Sequence, residues 1–221
     1  MKWEVFAQPS YTALKVELDP GEEIIAEPGA YLMNKGELQV DTSTMGVLSA
    51  FKRAFLGGES FFLNKFRAVS KSELWLVPSY PGDIRYIQLS PSTRFYVQDG
   101  AFLAMHGNIK IDVAWRGARG LLAQGEIFWL KLEGAGGVWV SSYGAIVEKE
   151  VGINEVFRVD NNHLVAMTDM RWKITKLGGL KTFFFGGEGL IVEVEGPGKI
   201  YIQTRSLPML AKLIADLIPK R

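Results

Sequence analysis

One phrase is written three times along this chain, and that recurrence restricts the fold more than any single motif. Segments ending in an apolar run and a methionine are Ala30-Tyr31-Leu32-Met33, Phe102-Leu103-Ala104-Met105 and Leu164-Val165-Ala166-Met167. A glycine–glutamate pair follows each: Gly58-Glu59, Gly125-Glu126 and Gly187-Glu188. The second and third copies keep register, with Met105 and Met167, Gly125 and Gly187, and Gly136 and Gly198 each 62 residues apart. The first copy is longer, with 25 residues between Met33 and Gly58 against 20 in the others. Repetition at a fixed period implies stacked or radially arranged copies of one supersecondary unit. Divided over 221 residues, each copy is near the lower limit for burying a core alone, so the copies are expected to pack on one another. The expected division is 1–89, 90–151 and 152–221, within a single compact unit that has no linker.

Most of the sequence reads as strand. Ile109-Lys110-Ile111-Asp112-Val113, Phe128-Trp129-Leu130-Lys131-Leu132-Glu133 and Val192-Glu193-Val194-Glu195 alternate apolar and polar residues with period two. Val138-Trp139-Val140 and Lys199-Ile200-Tyr201-Ile202-Gln203 follow glycine-rich stretches. Those stretches, 133–137 and 195–199, align with one another and are expected to be hairpin turns, since glycine supplies positive φ. Helix is expected in two places only. At 44–56, Val47, Leu48, Phe51, Ala54 and Phe55 share a face opposite Lys52 and Arg53, and Gly57-Gly58 supplies a C-cap. At 207–218, Leu207, Leu210, Leu213, Ile214, Leu217 and Ile218 form an apolar stripe, with Lys212 and Asp216 on the other side and Pro208 in the first turn. The expected class is all-β, a sandwich or barrel with two short amphipathic helices.

Composition removes whole classes of chemistry. The chain has no cysteine, which excludes disulfides, thiolate catalysis and cysteine-ligated metals. A net charge of +1 gives no electrostatic case for nucleic acid. The start, Met1-Lys2-Trp3-Glu4-Val5, has no apolar signal segment, and no run approaches a spanning helix, so a cytoplasmic protein is expected.

Several segments in order carry a family resemblance. They are Gly58-Glu59-Ser60-Phe61-Phe62, Ser79-Tyr80-Pro81-Gly82-Asp83-Ile84, Phe102-Leu103-Ala104 and Val140-Ser141-Ser142-Tyr143-Gly144. They continue with Val159-Asp160-Asn161-Asn162-His163-Leu164-Val165-Ala166, Gly187-Glu188-Gly189-Leu190, Gly196-Pro197-Gly198 and Gln203-Thr204-Arg205. Together they resemble the AIM twenty-four family, mitochondrial biogenesis proteins of eukaryotes with uncharacterised relatives in bacteria and archaea. The match runs from about Leu18 to Arg205; a family glycine is replaced around Ala68-Val69-Ser70-Lys71. The resemblance implies a fold similar to the tryptophan RNA-binding attenuator protein, a small β-sandwich that assembles into rings. It further implies three such units per chain and three chains per ring, and no catalysed reaction or cofactor.

The residues that could carry chemistry divide unevenly between functional and structural readings. Glu59, Glu126 and Glu188 recur, and three carboxylates on a pseudo-three-fold axis could hold a cation. The glycine before each favours a backbone role instead, the glutamate bonding a neighbouring turn. His106 and His163 fall at non-equivalent places and form no His-x-His pair, which reads as two surface histidines rather than a metal site. Ser60, Ser141 and Ser142 lack a nucleophile elbow, and Gly134-Ala135-Gly136-Gly137 lacks the lysine and helix of a phosphate loop. An RNA-binding or small-ligand ring is the alternative reading. Arg67, Lys71, Arg116, Arg119, Arg171, Lys173, Lys176 and Lys181 supply its charge, with Trp115 and Trp172 beside two of them. The candidate interaction residues are Phe51, Lys52, Arg53 and Phe55 on the first helix and Leu210, Leu213 and Leu217 on the second, facing the chain's own sheets, another protomer or a membrane. The expected function is a non-enzymatic scaffold, homotrimeric and peripheral to a membrane, with no metal or cofactor.

Overall fold

Strands dominate the computed structural model, which describes residues 1–43, 62–116, 128–176 and 190–218. The candidates Phe51, Lys52, Arg53, Phe55, Glu59, Glu126 and Glu188 lie outside these residues, as does the expected first helix. The first strands are β1 (Lys2–Phe6), β2 (Ala13–Leu18), β3 (Glu23–Ala26), β4 (Tyr31–Lys35), β5 (Leu38–Ser43), β6 (Leu63–Ala68) and β7 (Ser72–Leu76). Next come β8 (Ile84–Leu89), β9 (Arg94–Gln98) and the two long strands β10 (Phe102–Arg116) and β11 (Phe128–Ser141). The chain continues through β12 (Ile146–Val151), β13 (Val156–Asp160), β14 (Leu164–Thr168), β15 (Arg171–Lys176), β16 (Leu190–Glu195) and β17 (Gly198–Gln203). It ends in one helix, α1 (Leu207–Leu217).

Among the described residues these strands form three sheets. One runs β1-β2-β7-β4, and a ten-stranded sheet runs β12-β17-β14-β9-β11-β10-β3-β6-β5 with β8 on β11. The third is β13-β16-β15. None of the three closes on itself. Alternation decides which face each strand buries: in β2 (Ala-Leu-Lys-Val-Glu-Leu) the leucines and valine are buried and the residues between them half-exposed. β7 and β9 bury alternate residues in the same way.

Buried apolar side chains form three clusters. Leu14, Val16, Ile24, Leu74 and Leu76 belong to the first, Phe95, Val97, Phe102, Leu130 and Val138 to the second, and Leu164, Met167, Val192, Val194 and Ile200 to the third. Strand β11 joins them, because it puts fully buried Trp139 into the first cluster and fully buried Trp129 into the third. A strand with its two largest side chains in its neighbours' cores ties those cores into one cooperative body.

The expected hairpins at 133–137 and 195–199 are not there. Strand β11 runs straight through Gly134-Ala135-Gly136-Gly137, pairing Gly134 with Ile109 and Gly136 with Gly107 of β10. After β16, which pairs with β13 and β15, the chain passes through Gly196-Pro197 into β17, which pairs with β12 and β14 in a different sheet. These glycines serve close backbone approach. A Cβ at Gly134 would fall on the Asn108 carbonyl, and its φ of 132° lies where side-chain-bearing residues are strained.

Candidate functional site

Helix α1 is built by its ends. Ser206, itself buried, caps it by accepting a hydrogen bond from the Met209 amide at 3.5 Å, and Pro208 sits in the first turn, where its missing N–H costs nothing. Eleven residues give a length of about 16 Å. None of them is buried. Of the predicted contact residues, Leu213 is 58% and Leu217 75% exposed, with Leu210 half-buried; Ile214 and Met209 extend the same uncovered face. Globular proteins normally bury such a stripe, and on α1 it is left exposed.

A second uncovered surface has no counterpart among the sequence candidates. Strand β4 ends the first sheet and β13 ends the third, and among the described residues no strand pairs with the outer edge of either. Tyr31, Leu32 and Met33 on β4 are each about half exposed. The matching residues after the recurrent glycine or asparagine, Phe102-Leu103-Ala104 and Leu164-Val165-Ala166, are fully buried. On β13, Val156 is exposed and Phe157 half-buried. Arg158 lies beside them with its guanidinium on Glu193 at 2.9 Å. Unpaired edges carrying apolar side chains are what soluble proteins ordinarily cover or charge.

Between the sheets runs a buried polar seam. Thr12 Oγ1 donates to the Gly82 carbonyl at 2.7 Å, and a parallel bridge joins Gly82 to Gly144. The Asp83 amide donates to the Gly144 carbonyl at 3.0 Å, and the Ser142 amide donates to the Asp83 carbonyl at 3.1 Å. The Arg205 amide in turn donates to Tyr143 at 3.2 Å. Asp83, 3% exposed, accepts from the Gln8 side chain at 3.0 Å and the Ile84 amide at 2.8 Å. Every one of these groups is satisfied within the fold, so the seam positions backbone and offers no free reactive group.

The remaining polar candidates are structural too. His106 is not a free surface residue: its ring stacks on Tyr86 at 6.2 Å and tilts against Trp139 at 5.3 Å, with Tyr86 Oη 3.3 Å from Nε2. Burial, helped by the Met1 ammonium, holds its pKa below the ordinary imidazole value. His163 Nδ1 lies 2.8 Å from the Gln203 carbonyl. Trp172 packs on Trp129 and Tyr96 and is no open stacking platform. Several basic residues of the RNA reading already hold carboxylates: Arg171 has Glu195 at 3.6 Å, Lys173 has Glu193 at 2.7 Å and Arg67 has Glu23 at 3.8 Å. Trp115, Arg116 and Lys176 occupy strand ends whose side chains lie outside the description, as do Arg119 and Lys181 altogether.

Hollows among the described residues accompany this surface. A crevice of about 120 Å³ lies where α1 begins, between Tyr80, Gln98, Tyr143, Asn162, Gln203 and Leu207. Ligand pockets start near roughly 300 Å³, so it holds only a few waters. A wider depression of about 640 Å³ is walled by Arg94, Lys110, Glu133 and Asp169. There Arg94 already pairs with Glu133 at 2.7 Å and Asp169 at 3.7 Å, and the apolar lining that holds small molecules is missing.

The described residues define an all-β protein whose exposed features include sheet edges and an amphipathic helix. The chain belongs to the family described as Mitochondrial biogenesis AIM24, whose model matches residues 3–205. An uncharacterised protein of Streptococcus pyogenes serotype M6 is 25% identical over 230 residues, spanning 99% of this chain and 92% of that one. A Verticillium alfalfae protein named altered inheritance of mitochondria protein 24, mitochondrial, is 29% identical over 174 residues. That alignment spans 77% of this chain and 44% of the fungal protein. The crystal structure of a Streptococcus pyogenes protein matches with a TM-score of 0.82 at 24% identity, over 98% of this chain and 99% of that one, and shares its fold. Among the described residues, no helix is long and apolar enough to cross a membrane.

Proposed function

We propose that this protein is a non-enzymatic scaffold built of three tandem β-sandwich units, assembled as a homotrimer and carrying α1 to a membrane surface. The observation that carries the reading is the uncovered apolar face of α1, with Leu213, Ile214 and Leu217 half exposed or more. Each such side chain has about 1 kcal/mol still to gain from burial. One short helix would therefore hold a bilayer interface weakly, whereas three on one rigid ring bind with multiplied avidity.

Support for the three units comes from the pairings. β2·β7, β8·β11 and β12·β17 are one set; β4·β7, β10·β11 and β14·β17 are another. β3·β6, β9·β11 and β13·β16 form a third, and β5·β6, β10·β11 and β15·β16 a fourth. A bulge recurs in the second set, with register shifts between Tyr31 and Met33, Phe102 and Ala104, and Leu164 and Ala166. The family's mitochondrial relatives are consistent with a role in organising membranes, and a structural role is in keeping with the satisfied seam described above.

Co-sedimentation with anionic lipid vesicles tests the reading. Wild-type protein pellets with vesicles, and Leu213→Glu/Leu217→Glu stays in the supernatant with its melting temperature unchanged. Wild-type protein that ignores vesicles of every composition would sink the membrane role.

A further inference from the structure

Two of the uncovered edges, β4 and β13, fit each other. Inside the chain, β3 pairs antiparallel with β10 through Ala26↔Ala104 and Ile25↔Met105. The pattern repeats when β9 pairs antiparallel with β14 through Val97↔Ala166, Tyr96↔Met167 and Phe95↔Thr168. In both junctions the strand that carries the recurrent bulge docks, through the residues just after it, on a strand of the preceding unit. Ile24, Phe95 and Phe157 occupy the same place against β6, β11 and β16, and so do Ala26, Val97 and Val159. On the receiving strands, Met33, Ala104 and Ala166 are the first residues after the bulge. Two of three junctions are made. The third needs a β13 and a β4, and within one chain both edges stay open among the described residues.

We propose that β13 of one copy docks antiparallel on β4 of a second copy, in the register Val159↔Met33, Arg158↔Asn34 and Phe157↔Lys35. The proposal rests on the three-unit reading and names the surface that builds the assembly. Exposure supports it independently. Phe102, Leu103 and Ala104, and likewise Leu164, Val165 and Ala166, are fully buried where a neighbouring unit covers them, while Tyr31, Leu32 and Met33 are about half exposed. A smaller difference of the same kind marks the other edge, where β3 and β9 bury Ile24, Ala26, Phe95 and Val97 completely but β13 leaves Phe157 half-buried and Val159 at 8%. The contact is heterologous, because it joins two different patches, so repeated addition gives a ring when its rotation closes. It also buries both edges, removing the template for uncontrolled pairing.

The chain has no cysteine, which makes the register directly testable. Opposed residues of an antiparallel pair lie about 4.5–5.5 Å apart at Cα, within disulfide reach. Two single variants of the full chain, Met33→Cys and Val159→Cys, are mixed and oxidised; Asn34→Cys and Arg158→Cys form a second pair that spares the nearly buried Val159. The predicted result is a covalent dimer as the main product in either mixture and none in any single variant alone. Disulfide dimers of Met33→Cys alone would overturn the proposal in favour of a two-fold contact. A wild-type oligomer by mass whose two mixtures both fail to cross-link would overturn this interface and leave the scaffold reading standing. A wild-type monomer at micromolar concentration, together with failed cross-linking, would overturn both.

Discussion

Single residues in this protein mostly secure backbone. Gly82 is the sharpest case: a Cβ there would fall on the Ser142 carbonyl, inside the seam that carries Thr12, Asp83 and Gly144. Gly82→Ala is expected to cost about 1–3 kcal/mol through overpacking against backbone that cannot give. At roughly 2–4 °C per kcal/mol for a chain of this size, calorimetry should find a drop in melting temperature well outside error. His106 offers a pH signature. Its folded pKa is lowered, so the neutral ring is the one the fold accepts. Stability present above the unfolded value of about 6.5 is then lost as pH falls from there toward the folded pKa, because the unfolded chain takes up the proton first. Melting temperatures near about pH 7.5 and about pH 5 should diverge in the wild type and diverge less in His106→Gln; equal divergence would remove the assignment.

Elements were legible in the sequence where periodicity speaks and illegible where topology decides. The period-two runs at 109–113, 128–133 and 192–195 lie within β10, β11 and β16, and the stripe at 207–218 lies on α1 with its cap at Ser206. The glycine stretches misled because glycine permits both a turn and a close crossing of strands. At Gly134 the neighbouring Asn108 carbonyl, 26 positions away in sequence, made the choice. The uncovered edges β4 and β13 could not be read in advance. Tyr31-Leu32-Met33 carries the same apolar signal as its buried counterparts, and only the pairing order reveals that no strand among the described residues pairs beside it. For α1 the sequence carried the stripe but not its exposure. Since no residue of α1 is buried, ending the chain after Ser206 should leave the melting temperature within a few degrees of wild type while abolishing vesicle binding. A truncated chain that unfolds would mean α1 belongs to the core after all.

At the scale of the whole molecule, two tryptophans on one strand lock three clusters together, and the open edges of β4 and β13 differ from each other. Trp129→Ala or Trp139→Ala should cost about 3–5 kcal/mol and broaden into a single lowered transition rather than release one sheet alone. The proposed assembly joins these edges: the chain makes two internal junctions of one kind, and among the described residues the halves of a third are left unpaired. The most direct test is the mass of the purified protein in solution at micromolar concentration, by light scattering coupled to size exclusion. A particle three times the 24.6 kDa chain is the predicted result, and a monodisperse 24.6 kDa monomer would contradict it.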